Sequence, residues 1–297
     1  MRIPGAVRPA LIGLALLSPA WIVDAQPDRD EAAAIVARVG ERVLEYYQRA
    51  QRLMCLERST VLPIDARWNA QGMARTVDSE LRIEFDVTDG ESFPEARLSR
   101  DVLSVNGRAP RERDRTDRSG CTDPNPISPE PLGFLLPGQR DEYAFTSVRG
   151  GRQQDRAALV IDFRSVRRLG HPQLIEDELG RDDCFDWKGP LPIKGRLWVD
   201  ADTYDVLKLE RHIVGPTDVQ VPLPLQREYG LPAWVTIDRD DLTLHYREVI
   251  FSNPDEVMLL PESITTTTVL RTGLQSTRRT QQFTDYRRFL TRSRIKR

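Results

Sequence analysis

The chain has 297 residues, with 43 Lys and Arg against 45 Asp and Glu, a formal net charge of −2. That balance gives the molecule no overall pull toward nucleic acid or an acidic membrane. Three histidines and three cysteines leave little material for a metal centre.

At the N-terminus, Arg2 and Arg8 precede an apolar run from Ala10 to Val23, and Val23-Asp24-Ala25 resembles a signal-peptidase site. This is the pattern of a secretory signal peptide (residues 1–25), and the run is shorter than the ~20 apolar residues a transmembrane helix needs. No Cys follows it, so no lipid anchor is expected. The expectation is cleavage after Ala25, a periplasmic protein starting at Gln26, and no transmembrane span. Removing 25 of the 297 residues leaves 272, which suits one β-rich domain over residues 26–297.

Three cysteines in an exported protein cannot all pair within the chain. Cys55 lies between apolar neighbours and reads as a small buried hydrophobe. Cys121 and Cys184 sit in the loop-like segments CTDPNP and RDDCFDW and are the expected disulfide. Closing a loop of that length contributes about 4 kcal/mol in the chain-entropy treatment.

The spacing predicts a helix over 28–54. Ile35, Val39, Val43, Tyr47 and Ala50 recur every three or four residues, and Val36, Leu44, Tyr46, Leu53 and Met54 widen the stripe. Asp28 and Glu31 have the spacing of a capping box.

Strand patterns then follow in series. Leu81, Ile83, Phe85 and Val87 alternate with Arg82, Glu84 and Asp86. A strand around Tyr143 and Phe145 precedes a Gly150-Gly151 turn, after which Leu159, Ile161 and Phe163 alternate again. GRLWVDADTYDVLKLER, residues 195–211, has period-2 alternation on both sides of a polar break and reads as a hairpin, with Leu197, Val199, Leu207 and Leu209 on its apolar face. Leu242, Leu244 and Tyr246, the β-branched ITTTTVL at 264–270, and Gln281–Phe289 complete the series. Nine to eleven antiparallel strands are expected. Residues 108–140 and 213–233, rich in Pro and charge, read as long excursions without regular structure.

Chemistry is sparse. His171, His212 and His245 lie in separate segments with no metal-ligand spacing. DADTYD at 200–205 fails the calcium-loop pattern, since its fifth position is Tyr204 and its sixth, where Gly is required, is Asp205. Asp182, Asp183 and Asp186 read as a solvated acidic loop. No nucleophile elbow, phosphate loop or Cys-x-x-Cys pair is present, so neither catalytic residues nor a cofactor is assigned.

The helix ending YYQRAQRLMCLERST, the hairpin GRLWVDADTYDVLKLER, the strand pair LTLHYREVIFSNPDEVMLLPESI and the closing FTDYRRFL resemble, in that order, the periplasmic lipoprotein-carrier-like (LolA/LolB-like) proteins. The Gly-x-x-Trp-x-Asp-x-x-Thr core of the hairpin is the most specific piece. The resemblance implies a mainly β (α+β) fold, an incomplete antiparallel β-barrel wrapped around the N-terminal helix, with an apolar concave face that in those carriers accepts acyl chains. No ligand-contacting position of the carriers matches a residue here, so none is transferred.

Two functions compete. One is a non-enzymatic envelope protein binding a lipid or acyl ligand on a concave face made of Leu81, Ile83, Phe85, Leu159, Ile161, Phe163, Leu197, Val199, Leu207 and Leu209. The other is an interaction module that meets an envelope protein partner through its loops or edge strands.

Overall fold

The computed structural model describes residues 29–86, 95–112, 131–166, 170–176, 185–189, 191–252, 255–271 and 274–288. The leader, Cys121 and Cys184 lie outside them, as do Asp28, Asp182 and Asp183.

The helix α1 (Arg29–Arg49) is followed at once by the strand β1 (Arg52–Ile64). The expected helix over 28–54 is therefore too long at its C-terminal end. From Leu53 onward burial alternates with period 2, through Cys55, Glu57, Ser59 and Val61, and these residues belong to the sheet. Leu53 and Met54, counted in the helical stripe, are strand residues. Short apolar runs at a helix–strand junction fit both periods, and tertiary pairing decides between them.

The other long strands are β2 (Arg75–Asp86), β3 (Glu95–Val105), β4 (Tyr143–Gln153), β5 (Arg156–Ser165), β8 (Ile193–Asp200), β9 (Val206–Ile213), β11 (Trp234–Ser252), β12 (Asp255–Leu270) and β13 (Ser276–Arg288). They pair in the order β3-β2-β1-β13-β12-β11-β9-β8-β5-β4. Three short strands, β6 (Gln173–Glu176), β7 (Phe185–Lys188) and β10 (Thr217–Gln220), hang from β11 as a side branch. The pairing is antiparallel apart from a single parallel contact, Gln220 with Gln173. β3 and β4 stand at opposite ends of the path, so the sheet is open rather than a closed barrel.

Curvature follows from packing. Every strand of the ten-strand path sends apolar side chains into one cluster with Ala32, Val36, Val39, Val43 and Tyr47 of α1. Laid flat, ten strands at ~4.8 Å spacing would span about 43 Å, far wider than a helix of ~10–12 Å. The sheet reaches one helix from both ends only by curling around it. The expectation of a mainly β fold wrapped around an N-terminal amphipathic helix holds.

The described parts of the two excursions hold regular structure that their composition does not predict. Within 213–233 lie β10 and a short helix, α3 (Leu223–Tyr229), which ends in the left-handed Gly230 (φ 65°). Val219, Val221 and Leu225 from this excursion join Leu174, Ile213, Val235 and Ile237 in a satellite core. Of 108–140, residues 113–130 lie outside the described part. The remainder forms a 3-10 turn (Gly133–Leu135) and the one-turn helix α2 (Pro137–Arg140). Leu132, Phe134, Leu135 and Leu136 are buried in the main cluster. This end of the excursion plugs the core. The Gly150-Gly151 pair, read as a turn, instead runs through β4; the chain reverses at Gln154 (φ 53°). Gly151 has no Cβ because one would stand 2.6 Å from Val160 Cγ2.

Two further glycines mark where elements approach too closely for a side chain. A Cβ on Gly40, midway along α1, would lie 2.6 Å from the carbonyl oxygen of Leu135. A Cβ on Gly195 in β8 would collide with the carbonyl oxygen of Glu210 and stand 2.5 Å from the Phe163 ring. Ala is the better helix former by ~1 kcal/mol, so propensity alone predicts that Gly40→Ala stabilises the protein. The packing predicts the opposite sign, a loss of about 1–3 kcal/mol at either position, read from the urea midpoint. An unchanged or raised midpoint in Gly40→Ala would show that α1 does not sit this tightly on the 133–135 turn.

Candidate functional site

The site is the apolar concave face together with the helix that covers it. Eight of the ten residues expected there, Leu81, Ile83, Phe85, Ile161, Phe163, Leu197, Val199 and Leu209, are buried in the cluster with α1, and Leu159 packs against it half-buried. Leu207 departs from the pattern. A register shift opposite Trp198 and Val199 pairs Val199 with Val206, so Val206 takes the place in the cluster that simple alternation gives to Leu207. Leu207 is 2% exposed but belongs to neither core cluster.

The hairpin motif now has a physical account. Gly195 makes room for the Phe163 ring, which packs on Phe134 with centroids 4.7 Å apart and on Tyr143 at 6.2 Å. Trp198 carries Lys208 Nζ 4.5 Å from its ring centroid. Asp200 builds the turn: its Oδ1 accepts the N–H groups of Asp202 and Thr203, both at 3.0 Å, and its Oδ2 accepts Arg156 Nη1 at 3.0 Å. Burial alone would raise the Asp200 carboxyl, but those N–H donors and Arg156 outweigh it and hold it below the usual range.

The same turn clasps α1. Arg38 Nη1 donates to the Tyr204 hydroxyl at 3.1 Å, and Arg42 forks onto both carboxylate oxygens of Asp205, at 3.1 and 3.3 Å. At the C-terminal end of the helix, Arg49 donates to Glu256 at 2.5 Å and to the Val257 carbonyl at 2.8 Å. Arg38, Arg42 and Arg49 form a polar stripe beside the apolar one. Their spacing of four and seven residues was readable in the sequence, but the partners were not. Between these ties a cavity of about 140 Å³ opens beside α1. It is lined by Val43, Leu132, Val206, Met258 and Leu259 together with Arg42, Arg49, Arg156, Asp205 and Glu248. A second, wider opening of about 880 Å³ lies at the other end of α1 against β4. None of the ten expected residues lines either opening.

The inward face also carries a polar group that sequence alternation had not marked. Glu57 is 1% exposed; it accepts Arg100 through both oxygens (2.5 and 2.9 Å), Gln281 Nε2 at 2.7 Å and Ser79 Oγ at 3.2 Å. A carboxylate this deep is tolerable only with such a full set of partners. It stands two residues from Cys55, whose thiol is pushed up to about 12, first by burial and then by the Glu57 charge. Among the described residues no group of three or more His, Cys, Asp or Glu could hold a metal ion. No described helix is long and apolar enough to cross a membrane.

Two outcomes follow. With its thiol neutral and enclosed, Cys55 in native protein stays unalkylated by iodoacetamide at pH 8 and reacts once denatured; prompt native labelling would contradict its burial. Because the Asp200 carboxyl is depressed, its contribution to stability is present above the unfolded carboxylate value of ~3.9 and is lost as pH falls below it. Asp200→Asn should cost about 1.5–3 kcal/mol at pH 7, the typical scale for bonds to a charged acceptor. That cost should shrink between about pH 5 and pH 3. A pH-independent difference would assign the effect to packing.

No family model matches the sequence, and no curated protein matches it. Among solved structures the chain is similar to a domain described as an outer membrane lipoprotein-sorting protein from Vibrio parahaemolyticus, at 10% identity and a TM-score of 0.34, covering 89% of this chain and 95% of that one. It is also similar to a LolA superfamily protein from Nitrosomonas europaea, at 11% identity and a TM-score of 0.33, covering 87% and 94%. Both are of the kind that the sequence resembles. At this identity and superposition they decide nothing about function, which is read below from the chain's own geometry.

Proposed function

We propose that this is an exported, non-enzymatic binding protein of the cell envelope, with its leader removed after Ala25, that holds a lipid or another apolar ligand between α1 and the concave sheet. The observation that carries the reading is how α1 is fixed. Its buried face is mainly apolar, with Tyr47 the side chain that carries a polar tip, while the ties of Arg38 to Tyr204, Arg42 to Asp205 and Arg49 to Glu256 lie beside it. Side chains of that kind slide and repack at lower cost than an interlocked polar interface. An acyl chain entering beside Val43 and Val206 replaces one apolar neighbour of the sheet by another. With α1 displaced, the wall it would meet is the expected set, Leu81, Ile83, Phe85, Leu159, Ile161, Phe163, Leu197, Val199 and Leu209, with Val206 in place of Leu207.

At about 140 Å³ the resting opening is below the ~300–1,000 Å³ of a typical ligand site, so binding requires α1 to shift.

The test is a fluorescent fatty-acid probe competed by phospholipid. Saturable binding to wild-type protein is expected, weakened at least tenfold by Val206→Trp, which fills the opening, with the melting temperature held within a few degrees. Arg42→Ala, which releases the clasp, should speed probe association. Absence of saturable binding to the folded wild type would remove the lipid reading.

A further inference from the structure

We propose that the polar end of the concave face holds a buried water molecule that bridges Ser59 of β1 to Gln281 of β13. The inference is independent of the lipid reading and concerns a different stretch of the face.

Along β1 the buried side chains run Leu53, Cys55, Glu57, Ser59 and Val61, so apolar surface gives way to polar surface in mid-strand. Ser59 is 1% exposed and Gln281 0%. The two are direct partners in the β1–β13 register. That places their Cβ atoms ~4.5–5.5 Å apart. Among the described residues neither Ser59 Oγ nor Gln281 Oε1 has a hydrogen-bond partner. Gln281 cannot cure this by turning its amide over. Its Nε2 donates to Glu57 Oε1 at 2.7 Å, and a flip would set an oxygen against a carboxylate. Glu57 thus fixes which end of the amide is left over. Arg100 adds a donor to the same cluster: its Nε and Nη2 go to Glu57, and its Nη1 is buried with no partner.

Buried polar atoms in folded proteins are paired, and where no protein group reaches them an internal water does so. The chemistry of the set selects the occupant. It calls for a group that donates to Gln281 Oε1 and exchanges a hydrogen bond with the Ser59 hydroxyl. A cation is opposed by Arg100 and an anion by Glu57. One water, with two donors and two acceptors, meets both atoms across a gap that they do not close themselves. The apolar floor of the concave face then ends at Cys55. An acyl chain running past that point would displace the water and leave Ser59 and Gln281 unpaired again.

The test is a high-resolution crystal structure of the mature protein, with water-to-protein cross-relaxation spectra of the isotope-labelled protein in solution. The expected result is an isolated density peak about 2.7–3.2 Å from both Ser59 Oγ and Gln281 Oε1. A water cross-peak is expected at the Gln281 side-chain amide. Ser59→Ala should keep that cross-peak, which excludes relay through the serine hydroxyl. Ser59→Val, which fills the space with methyl groups, should abolish it and lower the melting temperature. Loss of the cross-peak in Ser59→Ala would overturn the proposal, as would a Ser59 hydroxyl bonded directly to Gln281 Oε1 with no density between them. A peak that strengthens when the crystal is soaked in bromide would make the occupant an anion and overturn it as well.

Discussion

Everything in this molecule depends on the apolar stripe of α1 being buried by a sheet that is otherwise too wide to have a single core. Most helical stability in proteins comes from packing an amphipathic face, so α1 owes its stability chiefly to that burial. The sheet owes its curvature to the same contact, because strands at both ends of a ten-strand path must reach one cylinder. Gly40 lets the 133–135 turn seal one side of α1, and the Asp200–Asp205 turn clasps the helix from the strand ends.

The constraint also explains why the polar groups stand where they do. Arg38, Arg42 and Arg49 reach past the apolar contact to hairpin turns and a strand end, where water screens them and where each tie contributes little alone. Glu57 lies inside, and is retained only because Arg100, Gln281 and Ser79 satisfy it together. A helix seated on hydrocarbon and held by marginal ion pairs is a cover that can shift without leaving a buried charge unpaired. That is the physical basis for the binding function proposed for this face.

Much of this was legible in the residues. Alternation placed Leu81, Ile83 and Phe85, Ile161 and Phe163, and Leu197 and Val199 on the inner face, since a buried face leaves no freedom of register. It failed at Leu207 because a bulge is a two-strand property that one strand's sequence does not show. It failed at Leu53 because a short apolar run at a junction fits helix and strand alike. The Pro-rich excursions misled for a different reason: Leu132, Phe134, Val219 and Leu225 find their burial in distant partners, and local composition is silent about those. The polar lining of the cavity was hidden in the same way, with Arg156 and Asp205 far apart in sequence and adjacent in the fold.

Native-state hydrogen exchange of α1 tests the central claim most directly. If the helix is a shiftable cover, its amides open at a free energy well below that of β1, β12 and β13, and a saturating fatty acid changes protection in α1 while leaving those strands as they were. Exchange of α1 only through global unfolding, in step with the sheet and insensitive to added lipid, would make the helix a fixed core element and contradict the account.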